Sequence, residues 1–174
     1  MLRESSASVA PSVSHDWRRT YDEEATTLIR YLAKLTSDRE VAADLMQETF
    51  VQAIRAAPDL PDAGTARAWL FRTATNLARN HLRRRRILSF LPFTEREPSQ
   101  HEAFDATADQ VRSVLRSLPF EQATTLLLHY YAGFHRSEIA LMHGVSEETV
   151  KSRLARGRKN FMAAYRRLDR GLAR

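Results

Sequence analysis

The chain has no cysteine, only five glycines and six prolines in 174 residues, and almost no lysine. Without cysteine there are no disulfide staples, thiolate zinc sites or cysteine nucleophiles, and the absence says nothing about compartment. Scarce glycine and proline argue against collagen-like sequence, Gly-rich linkers and an all-β fold of tight turns. Lysine occurs only at Lys34, Lys151 and Lys159, against 24 arginines. Arginine's planar fork suits phosphates and guanine edges, although genomic base composition produces the same bias. Long hydrophobic runs are also missing. None approaches the roughly 18 uncharged apolar residues of a membrane span. Glu4 interrupts the N-terminal stretch, so no signal peptide is expected. The composition predicts a soluble, cytoplasmic protein without membrane insertion. No G-x-x-x-x-G-K-[ST] stretch occurs, which excludes a P-loop nucleotide engine.

What is present is 43% hydrophobic residues, enough for one or two small cores, and an uneven charge of +6 overall. Residues 1–66 carry a balance of −4, residues 67–86 of +7, residues 87–148 of −5 and residues 149–174 of +8. Two basic blocks on an otherwise acidic chain have the form of two contacts with a polyanion, the plainer alternative being a solvated basic face.

The periodicity is helical. Residues 1–15 are Ser/Ala-rich with Pro11 and read as a disordered tail. Tyr21, Ala25, Leu28, Leu32 and Leu35 form one stripe from Asp16 onward. Ser37 or Asp38 can cap a second helix bearing Val41, Ala42, Leu45, Met46, Phe50, Ala53 and Ile54. Pro58, Pro61 and Gly64 mark a turn, and Thr65 is placed to cap a third helix that ends in Arg83–Arg86. Residues 87–108 read as an acidic linker with an apolar start at Ile87, Leu88 and Phe90. Helices resume with Val111, Val114, Leu115 and Leu118 on one stripe. Pro119 suits the first position of a helix running to Gly133. Ser137 is placed to cap residues 138–142, Gly144 to stop them, and Ser146 to cap a last helix with Glu147 and Glu148 in its first turn. The expected fold is all-α: two small helical domains, 16–86 and 109–174, joined by the linker.

The segment Gly133–Arg158 has helix-turn-helix spacing. Its second helix presents small and basic side chains near its N-terminus, where such a helix meets base edges. A hairpin that merely packs would not need that nearly acid-free outer face. Trp69–Arg86 combines aromatics with four consecutive arginines, and Trp69 and Phe71 are candidates both for the core and for stacking on unpaired bases. Asp44, Gln47 and Glu48 share a helix face with no histidine near, so a polar rim for a basic partner helix fits better than acid–base chemistry. His129, His135 and His143 are spaced six and eight apart, which matches no compact zinc pattern. No metal, cofactor or catalytic residue is expected.

Two sets of residues carry a resemblance. Asp44–Phe50, Ala68–Ala78 and His81–Arg85 resemble region 2 of bacterial extracytoplasmic-function (ECF) sigma factors. Leu118-Pro119, Tyr131–Phe134, Glu138–Ala140 and Gly144–Arg158 resemble their region 4, in the same order and spacing. The resemblance implies a non-enzymatic subunit that binds core RNA polymerase and directs it to promoters. It places Asp44, Leu45, Gln47 and Glu48 against the β′ clamp, and region 4 against the β flap. It implies a −10 surface of Asp62, Gly64, Trp69, Asn76, Asn80, Arg83 and Arg84 on melted DNA, with a flipped base captured by the loop 59–66. It implies a −35 surface of Thr149, Lys151, Ser152, Arg153, Ala155, Arg156 and Arg158 on duplex DNA, and an anti-sigma factor as a further partner. Asn80 stands where many members have Asp, Gly157 where Ala is common, and His135-Arg136 where Ser or Thr with acidic residues is usual. The alternative from another class is a stand-alone helix-turn-helix regulator whose N-terminal bundle dimerises or senses a ligand.

Overall fold

The computed structural model describes residues 15–56, 60, 62–88 and 106–172, so the expected tail, apart from its last residue His15, and most of the expected linker lie outside the described residues. Seven α-helices and one π-helical turn follow in order: α1 (Trp17–Thr36), α2 (Arg39–Ala56), α3 (Ala63–Leu88), α4 (Ala106–Ser117), α5 (Phe120–Leu126), the π turn (Leu127–Tyr131), α6 (Arg136–His143) and α7 (Glu147–Leu172). Among the described residues there is no strand, and no helix is long and apolar enough to cross a membrane.

The first bundle is set by short polar caps and one apolar stripe per helix. The Asp16 carboxylate accepts from the backbone N–H groups of Arg18 and Arg19, both at 3.1 Å, and starts α1. Ser37, at φ 56°, stops α1 in the left-handed conformation, and Asp38 accepts from the Val41 N–H at 3.1 Å to start α2. The two candidate caps therefore divide the work. The cap of α3 is Asp62 rather than Thr65: its carboxylate takes the Thr65 N–H at 2.8 Å and the Thr65 hydroxyl at 2.9 Å. Leu28, Leu32, Leu35, Ala42, Met46, Phe50, Leu70 and Ala74 close the core between these three helices. Ile54, expected on the buried stripe of α2, is 70% exposed because the stripe ends at Ala53.

The second bundle departs from expectation at three helix ends. Pro119 is the residue before α5, not its first. The helix expected to reach Gly133 narrows to Phe120–Leu126 and then widens into the π turn. There the Ala132 N–H reaches the Leu127 carbonyl and the Phe134 N–H the Leu128 carbonyl, both at 2.9 Å. Gly133 follows with φ 77°, a conformation that glycine alone takes without strain. α6 begins at Arg136, with His135 rather than Ser137 as its flanking residue, because the Glu138 carboxylate turns back to the His135 N–H at 2.6 Å. Gly144 (φ 62°) and Ser146, whose Oγ takes the Thr149 N–H at 3.2 Å, make the turn into α7 as expected. Val114, Leu115, Leu118, Leu126, Leu128, Ile139, Val150 and Leu154 fill the core.

Gly157 sits where α7 crosses α5. A Cβ built there would lie 3.1 Å from Leu126 Cδ1 and 3.2 Å from its Cγ. Close approach of the two helices thus accounts for a glycine in a helix interior, where it otherwise costs about 1 kcal/mol relative to alanine.

The two bundles are packed on each other. Phe71 of α3 is fully buried between Tyr31 of α1, at 5.4 Å, and Phe134, at 5.1 Å, with both contacts edge-to-face. Thr75 Oγ1 donates to the Phe71 carbonyl at 2.6 Å, so the Tyr31 hydroxyl donates to Thr75 at 2.7 Å. Burial pushes the Tyr31 phenol well above its ordinary range. Arg67 completes the junction. Its Nε donates to Glu24 at 2.8 Å, another nitrogen donates to the Ala132 carbonyl, and its guanidinium lies 4.1 Å from the Phe134 ring centre.

Candidate nucleic-acid interface

α3 and α7 are each 26 residues long, and each presents one exposed polar face. On α3, Asn76, Asn80, Arg83 and Arg84 are all exposed and recur at helical spacing, so they line one side. Asp62 and Gly64 are exposed at the opposite end of that helix, about 30 Å from Arg84 at 1.5 Å per residue. The expected −10 residues therefore lie along the length of one rod and form no single pocket. The two hydrogen bonds from Thr65 hold the Asp62 carboxyl below its ordinary range. Trp69 is half-buried against Trp17, with ring centres 5.9 Å apart, and Phe71 is wholly inside. Of the two aromatics, only Trp69 retains surface for a base.

On α7, Lys151, Ala155, Arg156, Arg158 and Lys159 are exposed, and Ser152 is half-buried beside them. Thr149 is held at the helix start, its hydroxyl 2.9 Å from Ser146 Oγ. Arg153 departs from the expected outer face. It turns inward, 25% exposed, and its Nη1 lies 3.4 Å from Glu121 Oε2. Arg158 also borders an apolar cleft of about 400 Å³ with Lys34, Leu115, Tyr130, Phe161 and Met162.

On α2, Asp44, Gln47 and Glu48 are exposed on one side, with Gln52 Nε2 donating to Glu48 at 3.3 Å. Leu45, expected among the partner-binding residues, is instead 7% exposed and part of the core. It supports that face from beneath.

The histidines are spoken for separately. His129 Nδ1 donates to the Phe134 carbonyl at 2.9 Å, and His143 Nδ1 lies 3.5 Å from Glu121. Burial is the main force lowering the His143 pKa, with Arg153 and Arg79 adding to it and Glu121 opposing it. Among the described residues no group of three His, Asp or Glu side chains is close enough to hold a metal ion.

Sequence reasoning missed the residues that join the bundles. Arg67, Glu121 and Phe134 lie outside every expected face, yet Glu121 alone meets Arg79 at 2.8 Å, Arg153 at 3.4 Å and His143 at 3.5 Å. A single acid two residues past Pro119 was the only signal available.

Comparison with known families then gives two matches: the sigma-70 region 2 model over residues 20–87 and the sigma-70 region 4 model over residues 108–161. The chain is 34% identical over 161 residues to the ECF RNA polymerase sigma factor SigL of Mycobacterium tuberculosis, covering 88% of this chain and 90% of that one. It is 32% identical over 143 residues to SigM of the same organism, covering 81% and 73%. Among solved structures it resembles the sigma factor RpoE from Bartonella quintana, solved in complex with the anti-sigma factor NepR, with a TM-score of 0.67 and 23% identity over 87% of this chain and 97% of that one. It also resembles CnrH, solved with the cytosolic domain of CnrY, with a TM-score of 0.63 and 24% identity over 84% and 85%.

Proposed function

The chain belongs to the extracytoplasmic-function sigma factors of RNA polymerase and directs transcription initiation, and from that premise we propose how its surfaces share the task. α2 docks on the β′ clamp of core polymerase through Asp44, Gln47 and Glu48, with Leu45 holding the helix in place. The side of α3 bearing Asn76, Asn80, Arg83 and Arg84 binds the melted −10 strand, Trp69 stacks on a base, and the segment from Asp62 to Gly64 receives a flipped one. α7 enters the −35 major groove. Lys151, Ser152, Ala155 and Arg156 face base edges, while Thr149 and Arg158 lie nearer phosphates. Arg153 serves this surface indirectly, through its hold on Glu121. The second bundle docks on the β flap, and an anti-sigma factor is a further partner, a reading supported by the solved complex of RpoE with the anti-sigma factor NepR.

The observation that carries this reading is the pairing of two exposed cationic or polar helix faces, α3 and α7, on one chain that matches both sigma regions in order. Promoter opening follows from tighter binding to the melted strand than to the duplex, so the chain's part is binding rather than bond-making. The domain division proposed is 16–86 and 109–174, with α3 reaching Leu88 and α4 starting at Ala106 around the linker.

The test is co-elution of the purified chain with core polymerase, followed by transcription from a promoter library. Selective initiation with recoverable −35 and −10 sequences is expected. Tight duplex binding by the chain alone, without co-elution, would overturn the reading in favour of a stand-alone regulator.

A further inference from the structure

A polar cavity of about 230 Å³ lies between α3 and the helix-turn-helix, lined by Arg72, Thr75, Asn76, Arg79, His143 and Gly144. Two of these residues carry a buried nitrogen without a hydrogen-bond partner, Nε of Arg79 and Nε2 of His143. Buried polar atoms are nearly always satisfied, so a pair bordering one cavity is served by what fills that cavity, water or a small ligand. The surrounding charge fixes its sign. Glu121 is already engaged by Arg79, Arg153 and His143, while Arg72 is exposed and makes no ion pair among the described residues. The cavity therefore has cationic groups in excess.

His143 narrows the ligand further. Its side chain is 5% exposed, and its Nδ1 faces the Glu121 carboxylate, which can only accept. The proton of the neutral ring therefore sits on Nδ1, leaving Nε2 as a lone pair that needs a donor. Burial keeps the ring neutral near pH 7, in line with its lowered pKa. A partner for both atoms accepts from guanidinium N–H groups and donates an O–H, as water does; among anions that would match the excess positive charge, only one that keeps a proton does so. Sulfate and phosphodiesters have no O–H; orthophosphate at pH 7 keeps at least one.

We propose that this cavity binds inorganic orthophosphate, its oxygens accepting from Arg72 and Arg79 and its P–OH donating to His143 Nε2. The bound anion bridges α3 and α6. The inference rests on the cavity alone and on no part of the transcription reading, so each can fail without the other.

The test is calorimetric titration of the full chain at pH 7 with inorganic phosphate, and with sulfate and dimethyl phosphate at matched ionic strength. Saturable binding of one phosphate is expected, with both controls weaker by about tenfold or more. Arg72→Gln, at an exposed position, should lower phosphate affinity by about tenfold without changing Tm in chloride. His143→Asn keeps a donor for Glu121 and removes Nε2, and should erase the preference over sulfate. Equal binding of phosphate and sulfate by the unaltered chain, or no saturable binding, would overturn the proposal.

Discussion

Phe71 and Phe134, from opposite bundles and 63 positions apart, meet edge-to-face at 5.1 Å with both side chains almost wholly buried. The junction between the bundles is therefore core, continuous with the interior of each. Phe134→Ala should cost about 3–5 kcal/mol of stability. The loss should also separate the bundles, so that urea unfolding changes from one transition to two. A single transition with a small shift in midpoint would mean the bundles do not depend on this contact.

Gly157 makes a prediction opposite to helix propensity. Alanine gains about 1 kcal/mol over glycine in an exposed helix. Here the new methyl meets Leu126 at 3.1 Å, across a packed helix crossing. Overpacking costs about 1–3 kcal/mol, so Gly157→Ala should lower stability. Leu126→Val should relieve part of that loss, which a double-mutant cycle measures as non-additivity. Strict additivity, or a gain from Gly157→Ala alone, would show that Leu126 moves aside freely.

Which parts of this molecule were legible in sequence follows from how local the governing interaction is. Asp38, Gly144 and Ser146 act within three residues of their place in the chain, and their roles as cap, stop and cap could be read directly. Thr65 and Ser137 misled for a related reason. Each has a hydroxyl suited to capping, but at α3 the carboxylate of Asp62 lies one turn earlier and takes the Thr65 N–H and hydroxyl itself. At α6 the reverse bond from Glu138 to the His135 N–H fixes the start two residues before Ser137. The π turn adds one residue to a helical repeat, as the Ala132 to Leu127 bond shows, and the Phe134 to Leu128 bond closes the helix end around Gly133; neither backbone bond leaves a mark on hydrophobic spacing. Leu45 and Arg153 show the same limit in the candidate site. Motif position assigned both to binding faces, but only three-dimensional packing reveals that one is core and the other is held by Glu121.

The His143 environment predicts a pH effect of definite sign. Its imidazole faces Glu121 of α5, Arg153 of α7 and Arg79 of α3, and the net result of burial and these charges lowers its pKa below the ordinary 6.5. Between the two values the unfolded chain binds more protons than the folded one, so stability rises with pH there. This contribution is fully present above about pH 6.5 and is lost as pH falls toward the folded value. Urea unfolding between pH 5 and pH 8 should show that slope, and His143→Asn should flatten it. An unchanged slope in the variant would assign the effect to other groups.

The polymerase face is testable without disturbing the fold, because Gln47 and Glu48 are exposed and Glu48 bonds only to Gln52 of its own helix among the described residues. Surface changes of this kind usually alter stability by about 0.5 kcal/mol or less. Gln47→Ala with Glu48→Ala should leave thermal unfolding nearly unchanged and weaken binding to core polymerase in a pull-down or fluorescence titration. Unaltered affinity would remove α2 from the contact.

Arg156 separates base reading from charge. It is exposed on α7 one turn after Ser152, while Arg153 is committed to Glu121. If its fork reads a guanine, Arg156→Ala should weaken binding to the preferred −35 duplex by about 1–3 kcal/mol and leave random duplex nearly unaffected. A phosphate contact behaves otherwise: the loss is equal on every sequence, and the slope of log affinity against log salt falls by about one. Measuring both duplexes at two salt concentrations with the polymerase-bound chain distinguishes the cases. Equal losses on the two duplexes would reassign Arg156 to the backbone and leave Lys151 and Ser152 as the candidates for sequence reading.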